Sequence, residues 1–374
     1  MGPGRLLRVD AGRLKRTRMD RNARNSGAGA VREAHRFDAA ALDAWMAANV
    51  ADYRGPLSIE QFRGGQSNPT YRLATPARFY VLRRKPPGQL LAGAHAVDRE
   101  YRVITALGAQ GFPVPRTYGL CVDEAVIGTP FYVMEMVEGR IFWDTTFPDV
   151  PRADRPAYFD AMNETLARLH MIDPAAAGLA DYGKPGNYFA RQIARWSKQY
   201  REDVAAGPVA AMDRLVDWLP AHVPADEPQP RVIHGDYRCD NMIFHPSEPR
   251  VLAVLDWELS TLGHPLADFT YHLMMYRMPP GITTGLAGAH LAALNIPSEA
   301  DYVAAYCRRT GREGIPDLDF YLAFNLFRLA GIVHGIKGRL ARGNASSAHA
   351  ASMVAMLEPL AELAWTQAKR AGAR

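Results

Sequence analysis

HGDYRCDNMIFHPSEPRVLAVLDW, residues 234–257, decides how the rest of the chain is read. Two apolar runs, NMIF and VLAVLDW, flank the turn-forming group Pro246-Ser247-Glu248-Pro249. The stretch therefore reads as a loop followed by a β-hairpin. If residue 245 pairs across the turn with residue 250, Asn241 faces residue 254 and Asp256 lies diagonally beside it. Asp236 and Asn241 fall in the pattern H-x-D-x-x-x-x-N, in which a loop Asp takes the proton of a hydroxyl and the Asn oxygen ligates a metal. Asn241 and Asp256 at the open end of one hairpin are oxygen ligands suited to a hard cation such as Mg²⁺. Asp and Asn are common turn formers, so each piece alone says little. In this order, with a strand after each, they point to transfer of phosphate to a hydroxyl.

The bulk properties limit the alternatives. A chain of 374 residues favours two lobes over a single core. It is 48% hydrophobic and 22% charged, the balance of an ordinary globular protein, and no apolar run reaches the ~18 residues of a membrane span. Cys121, Cys239 and Cys307 are scattered and lack metal-ligand spacing, which implies a reducing compartment with the cytoplasm as default. The formal charge of +5 is concentrated at one end. Residues 1–36 carry ten Lys or Arg against Asp10, Asp20 and Glu33, leaving the body of the chain slightly negative. That argues against a nucleic-acid-binding body and reads as a disordered basic extension, with no apolar core of a secretory signal.

Folding is expected to begin at Asp38, a helix cap ahead of Leu42, Trp45, Met46 and Val50 at helical spacing. Residues 57–62, 70–73 and 79–82 read as strands, with GGQSNP (residues 64–69) as a turn between the first two. Residues 95–107 look helical, and 113–120 and 130–137 read as further strands. From about Asp154 the pattern is helical, with Phe159, Met162, Leu166 and Leu169 on one face and a second helix over 188–200. Ser298 with Asp301 resembles a capping box for a helix ending near Gly311. Two last helices are expected over 318–342 and 346–369. The fold class is α+β, a small antiparallel β-rich N-lobe (37–138) ahead of a larger, mainly helical C-lobe (139–374).

HGDYRCDN with VLDWELSTLGHPLADF resembles the aminoglycoside phosphotransferase and choline-kinase-like family, relatives of protein kinases, over about residues 55–345. VLRRKPPG, AHAVDREYRV and LDWELSTLG are most similar to the kinase-like domain found ahead of acyl-CoA dehydrogenases. The resemblance implies a bilobal protein-kinase-like fold and ATP with Mg²⁺ as cofactors. It makes Asp236 the catalytic aspartate, Asn241 and Asp256 the metal ligands, His234 a brace for the loop, and Asp268 a cap on loop backbone groups. The family's strand lysine and helix glutamate fall on Arg83 and Glu100. Arginine there is a departure, although its fork suits phosphate oxygens. Lys85 shares the strand face of Arg83 and is the other candidate, whereas Arg84 points the opposite way and reads as solvated. Gly65 and Ser67 in the turn would lie over the phosphates, and Met134, Glu135 and Val137 would form the adenine-binding hinge.

The acceptor is less determined. Residues 258–345 hold seven acidic and eight basic side chains, no lining for a polycationic aminoglycoside. Arg328, Arg339 and Arg342 fall near one helical face with Lys337 close by, and of these Arg328, Lys337 and Arg339 are the candidates to hold an anionic or acyl-type acceptor such as a hydroxyacyl-CoA. The alternatives are an aminoglycoside or amino-alcohol kinase and, in another class, a nucleotide-binding pseudokinase. The expected partner is a small-molecule acceptor, with neither nucleic acid nor membrane. Oligomeric state and the choice of ATP over GTP are not encoded in any recognisable motif.

Overall fold

In the computed structural model, residues 27–63, 68–87, 96–225, 229–280, 285–343 and 348–374 are described. The chain divides into two compact units, one of residues up to 108 together with 114–138, the other of 109–113 and 139–374.

The first unit is a six-stranded antiparallel sheet built from β1 (Ala28–Gly29), β2 (Ser58–Phe62), β3 (Thr70–Ala74), β4 (Phe79–Arg84), β5 (Thr117–Cys121) and β6 (Phe131–Glu135), in the order β1-β2-β3-β4-β6-β5. The longer helices that accompany it are α1 (Ala39–Asn49) and α2 (Val97–Ala109). Asp38 starts α1 as its sequence suggests: Oδ1 accepts the N–H groups of Ala40 and Ala41 at 2.8 and 3.1 Å. Strand alternation puts Tyr71, Leu73, Tyr80, Leu82, Phe131 and Val133 on one sheet face, where they close a core with Leu42 and Met46 of α1. Val81 and Arg83 take the other face of β4.

Two expectations need correction here. Residues 28–36, assigned to the extension, join the sheet edge through β1. The Arg32 N–H donates to Gln61 Oε1 at 3.1 Å, and the Tyr71 hydroxyl donates to the His35 carbonyl at 3.0 Å. Strand pairing at Ala28 and Gly29, bonds to the side chains of Gln61 and Tyr71, and the packing of Val31 on the core hold this segment, none of which leaves an apolar periodicity to read. Arg84 is not solvated either. It is 3% exposed, with its guanidinium 5.3 Å over the Phe37 ring, and burial lowers its pKa against the opposing effect of Tyr71.

The second unit is mainly helical: α3 (Arg155–Met171), α4 (Tyr188–Glu202), α5 (Ala210–Ala221), α6 (Pro265–Leu273), α7 (Glu299–Thr310), α8 (Leu318–Ala341), α9 (Ala348–Val354) and α10 (Leu357–Arg370). Phe159, Met162, Leu166 and Leu169 of α3 are fully buried, as their spacing requires. The Ser298 hydroxyl accepts the Asp301 N–H at 3.1 Å and Gly311 ends α7 in the left-handed region. The final helix expected as one piece is two, α9 and α10, separated at residues 355–356. Two small ribbons are set among the helices. β7 (Arg231–Ile233) pairs with β10 (Thr261–Gly263), and β8 (Met242–Phe244) pairs with β9 (Val251–Val254). The first pairing has no local signature, because its strands are three residues each and lie either side of the hairpin. Among the described residues, no helix is long and apolar enough to cross a membrane.

Candidate active site

The loop between β7 and β8 carries His234, Asp236 and Asn241. Gly235 sits at φ +86°, and a Cβ there would lie 2.7 Å from the Leu259 carbonyl oxygen, so this tight turn admits only glycine comfortably. Asp268, in the first turn of α6, accepts the N–H groups of His234 and Gly235 at 2.7 and 2.8 Å. Arg328 of α8 donates from Nη2 to the Gly235 carbonyl at 2.9 Å. One peptide turn is thus gripped by an anion on its N–H side and a cation on its C=O side.

His234 is a brace with a defined tautomer. Its Nε2–H donates to the Leu255 carbonyl at 2.8 Å, which leaves Nδ1 to accept the Asp236 N–H at 3.2 Å. Leu255 in turn donates its N–H to the Asn241 carbonyl at 2.8 Å. Asp256, the next residue, has φ +67°, an uncommon value for a side-chain-bearing residue and one that clusters at functional sites. The hairpin register differs from the simple reading. Phe244 pairs with Val251, but Ile243 pairs with Ala253 and Met242 with Val254, so a bulge shifts the strand by one residue. Asn241 consequently bonds to Leu255, directly before Asp256, rather than facing residue 254.

The carboxylate of Asp236 is held from three sides. Asn241 Nδ2 donates to Oδ2 at 3.1 Å and to the Asp236 carbonyl at 2.9 Å. The Tyr271 hydroxyl donates to Oδ1 at 2.5 Å, and Arg238 Nε lies 3.5 Å from the same oxygen. A carboxylate has about four lone-pair sites, so a further hydroxyl has room to donate. Burial raises the Tyr271 pKa, and the adjacent Asp236 charge adds to that, which keeps the phenol protonated as a donor. Burial would also raise Asp268, but the hydrogen bonds it accepts from the His170 side chain and the His234 backbone hold it below the usual carboxylate range.

Tyr271, Arg238 and His170 were missed in the sequence. Tyr271 follows Asp268 by three residues on one helix, a spacing that puts both on the same face and could have revealed it. His170, at the end of α3, carried no such signal.

Asn241 fits the metal role that the family implies. Its Nδ2 donates to both the carbonyl and the carboxylate of Asp236, which turns Oδ1 away from Asp236. No group of three or more His, Cys, Asp or Glu gathers among the described residues, so an all-protein cage is not formed. Mg²⁺ requires only one or two protein oxygens, with phosphates and water completing its shell, so Asn241 and Asp256 would suffice in number.

In the first unit, Arg83 Nε lies 3.0 Å from Glu100 Oε2, both side chains buried. Lys85 is half-buried on the same strand face, beyond β4. Met134 is buried in β6, while the Glu135 N–H is taken by the Arg116 carbonyl at 2.8 Å, so only the Glu135 carbonyl remains to offer a ligand. Val137 is half-buried in the segment after β6. Gly65 and Ser67 lie outside the described residues. Of the three side chains suggested for the acceptor, the structure separates Arg328, which is buried against the Asp236 loop, from Lys337 and Arg339. These two lie nine and eleven residues further along α8, about 14–17 Å away by helix rise. Arg339 is exposed and Lys337 half-buried.

An antiparallel sheet unit and a helical unit with an Asp-bearing loop, braced in this way, define a phosphotransferase of protein-kinase-like fold. The model of the phosphotransferase enzyme family matches residues 58–321, and the chain belongs to that family. It is 44% identical to acyl-CoA dehydrogenase family member 10 of Mus musculus over 86% of this chain and 30% of that protein. With acyl-CoA dehydrogenase family member 11 of Homo sapiens it shares 42% identity over 90% of this chain and 44% of that one. The chain therefore spans less than half the length of these relatives. Among solved structures, a Ralstonia eutropha protein named for the aminoglycoside phosphotransferases is 52% identical with a TM-score of 0.83, covering 90% of this chain and 99% of its own. Aminoglycoside phosphotransferase APH(4)-Ia, solved with ADP and hygromycin B, shares the fold at 15% identity and a TM-score of 0.57, over 89% of this chain and 98% of its own.

Proposed function

We propose that this chain transfers the terminal phosphoryl group of ATP to a hydroxyl of a small anionic or acyl-type acceptor, such as a hydroxyacyl-CoA. The observation that carries the reading is the Asp236 carboxylate, fixed by Asn241 and already accepting a hydroxyl hydrogen bond from Tyr271 at 2.5 Å. In this role Asp236 orients the acceptor hydroxyl and takes its proton as the oxygen attacks phosphorus, while ADP departs. Asn241 and Asp256 would hold Mg²⁺, which when bound neutralises charge on the phosphates. Arg83, positioned by Glu100, would hold phosphate oxygens, and Met134, Val137 and the Glu135 carbonyl would receive adenine.

The acyl-type acceptor is supported by relatives named for acyl-CoA dehydrogenases, of which this chain matches one portion. The Ralstonia eutropha neighbour named for the aminoglycoside phosphotransferases favours a second reading, an aminoglycoside or amino-alcohol kinase. ADP release with a panel of hydroxyacyl-CoAs, free hydroxy acids, amino-alcohols and aminoglycosides separates the two. Asp236→Ala should lower kcat by about 10²–10⁴ while ATP still binds. Unchanged turnover in that variant would refute the assignment, and ATP binding without turnover on any acceptor would leave a nucleotide-binding module.

A further inference from the structure

The two oxygens of the Asp236 carboxylate are not equivalent. Among the described residues, Oδ1 receives the Tyr271 hydroxyl at 2.5 Å and has Arg238 Nε at 3.5 Å, whereas Oδ2 receives Asn241 Nδ2 at 3.1 Å. A carboxylate oxygen has about two lone-pair sites. Oδ1 thus has one site taken and the other faced by a cation, while Oδ2 has one site open. An incoming hydroxyl finds its place at Oδ2.

Nothing within Asp236 fixes that arrangement. The last torsion of an aspartate is broad and roughly two-fold, so the carboxylate plane follows the donors around it. Two donors of opposite character compete for Oδ1. Arg238 is charged, yet its Nε stands beyond the ~2.7–2.9 Å of a charge-assisted hydrogen bond. Its Nη2 donates instead to Asp240 Oδ2 at 2.8 Å, and its side chain is 44% exposed, which leaves it room to shift. Tyr271 is neutral and firmly mounted. It is buried, with the Arg328 guanidinium 5.3 Å over its ring. It also stands one turn after Asp268, which accepts the His234 and Gly235 N–H groups. One rigid element, α6, therefore holds both the backbone of the Asp236 loop and the carboxylate it carries.

We propose that Tyr271 is a positioning residue: its hydroxyl holds Oδ1, keeps the carboxylate from turning onto Arg238, and so presents Oδ2 as the atom that takes the acceptor's proton. In that step the acceptor O–H bond breaks toward Oδ2 as the new O–P bond forms and the bond from phosphorus to the ADP oxygen breaks. Tyr271 keeps its own proton throughout. Without its hydroxyl, the strongest donor left near Oδ1 is the Arg238 guanidinium. Closing that gap, by about 0.7 Å, turns Oδ2 away from Asn241. The catalytic consequence rests on the role proposed for Asp236; the orientation of the carboxylate does not.

Tyr271→Phe removes the hydroxyl and keeps the ring beneath Arg328. Crystal structures of the full-length parent and variant should show Arg238 Nε closing to about 2.8 Å from Oδ1, with Oδ2 drawn off Asn241. With whichever acceptor of the panel is turned over, kcat should fall about 10–10²-fold at unchanged KM for ATP, the scale of a misplacement of up to an ångström. In an Arg238→Gln background the same substitution should lower kcat by less than about threefold, because the competing cation is gone. A role in packing alone would lower it equally in both backgrounds. Equal losses, or a carboxylate that stays in place in Tyr271→Phe, would overturn the proposal. A parent that turns over no acceptor would count against the role of Asp236 alone, and the paired crystal structures would still decide the positioning.

Discussion

Asp268→Asn tests whether a buried carboxylate holds the loop that carries Asp236. The parent side chain accepts two backbone N–H groups, from His234 at 2.7 Å and Gly235 at 2.8 Å, on separate oxygens. Asparagine offers one oxygen and one NH₂, so one loop N–H must face a donor. A hydrogen bond to a charged group contributes about 1.5–3 kcal/mol, and an unsatisfied buried donor costs about 1–3. The helical unit should therefore lose about 3 kcal/mol, read as a lowered urea midpoint at unchanged slope. The sign with pH follows from the depressed pKa of Asp268. Its contribution is complete above the unfolded carboxylate value of about 3.9 and is lost as pH falls through the lower folded value. Parent and variant should thus differ most at neutral pH and converge in acid. Hydrogen exchange at His234 and Gly235 should accelerate, and kcat should fall by about 10² if the loop is displaced by an ångström. Equal urea midpoints at pH 7 together with unchanged exchange at those two amides would refute the reasoning.

Arg83→Ala should destabilise the sheet unit by about 3–5 kcal/mol, because it leaves Glu100 charged and buried. Arg83→Met/Glu100→Leu should recover most of that loss in denaturant titrations yet bind ATP weakly, which separates the structural role from the phosphate role. Gly235→Ala should cost at least ~2 kcal/mol in thermal unfolding, through the positive φ and the Leu259 carbonyl together. Burial pushes His272 down to about 4, against the raising effects of the Tyr237 backbone and Asp268. The unfolded chain gains its proton near pH 6.5, so the folded state should lose stability as pH falls from there to about 4, by up to ~3 kcal/mol. His272→Gln should flatten that interval in urea midpoints measured against pH.

Much of this fold is written locally. The Asp38 cap, the Ser298 capping box, the apolar face of α3 and the hairpin turn at residues 246–249 are each decided within a few residues, because helix caps and tight turns satisfy neighbouring backbone groups. The same holds for the spacing that singles out Asp236, Asn241 and Asp256. Tertiary structure decided what holds them. The single-residue bulge that brings Asn241 against Leu255 depends on how β9 packs, and no residue type in VLAVLDW announces it. Arg84 reads as a surface charge by strand alternation but is covered by Phe37, a residue outside the strand. Tyr271 reaches Asp236 across 35 residues and Arg328 reaches Gly235 across 93, and a helical stripe of basic residues cannot reveal that one member is buried on a loop while others remain outside. Local patterns follow from the chain's own periodicity, whereas long-range hydrogen bonds depend on which faces the packed helices turn toward one another.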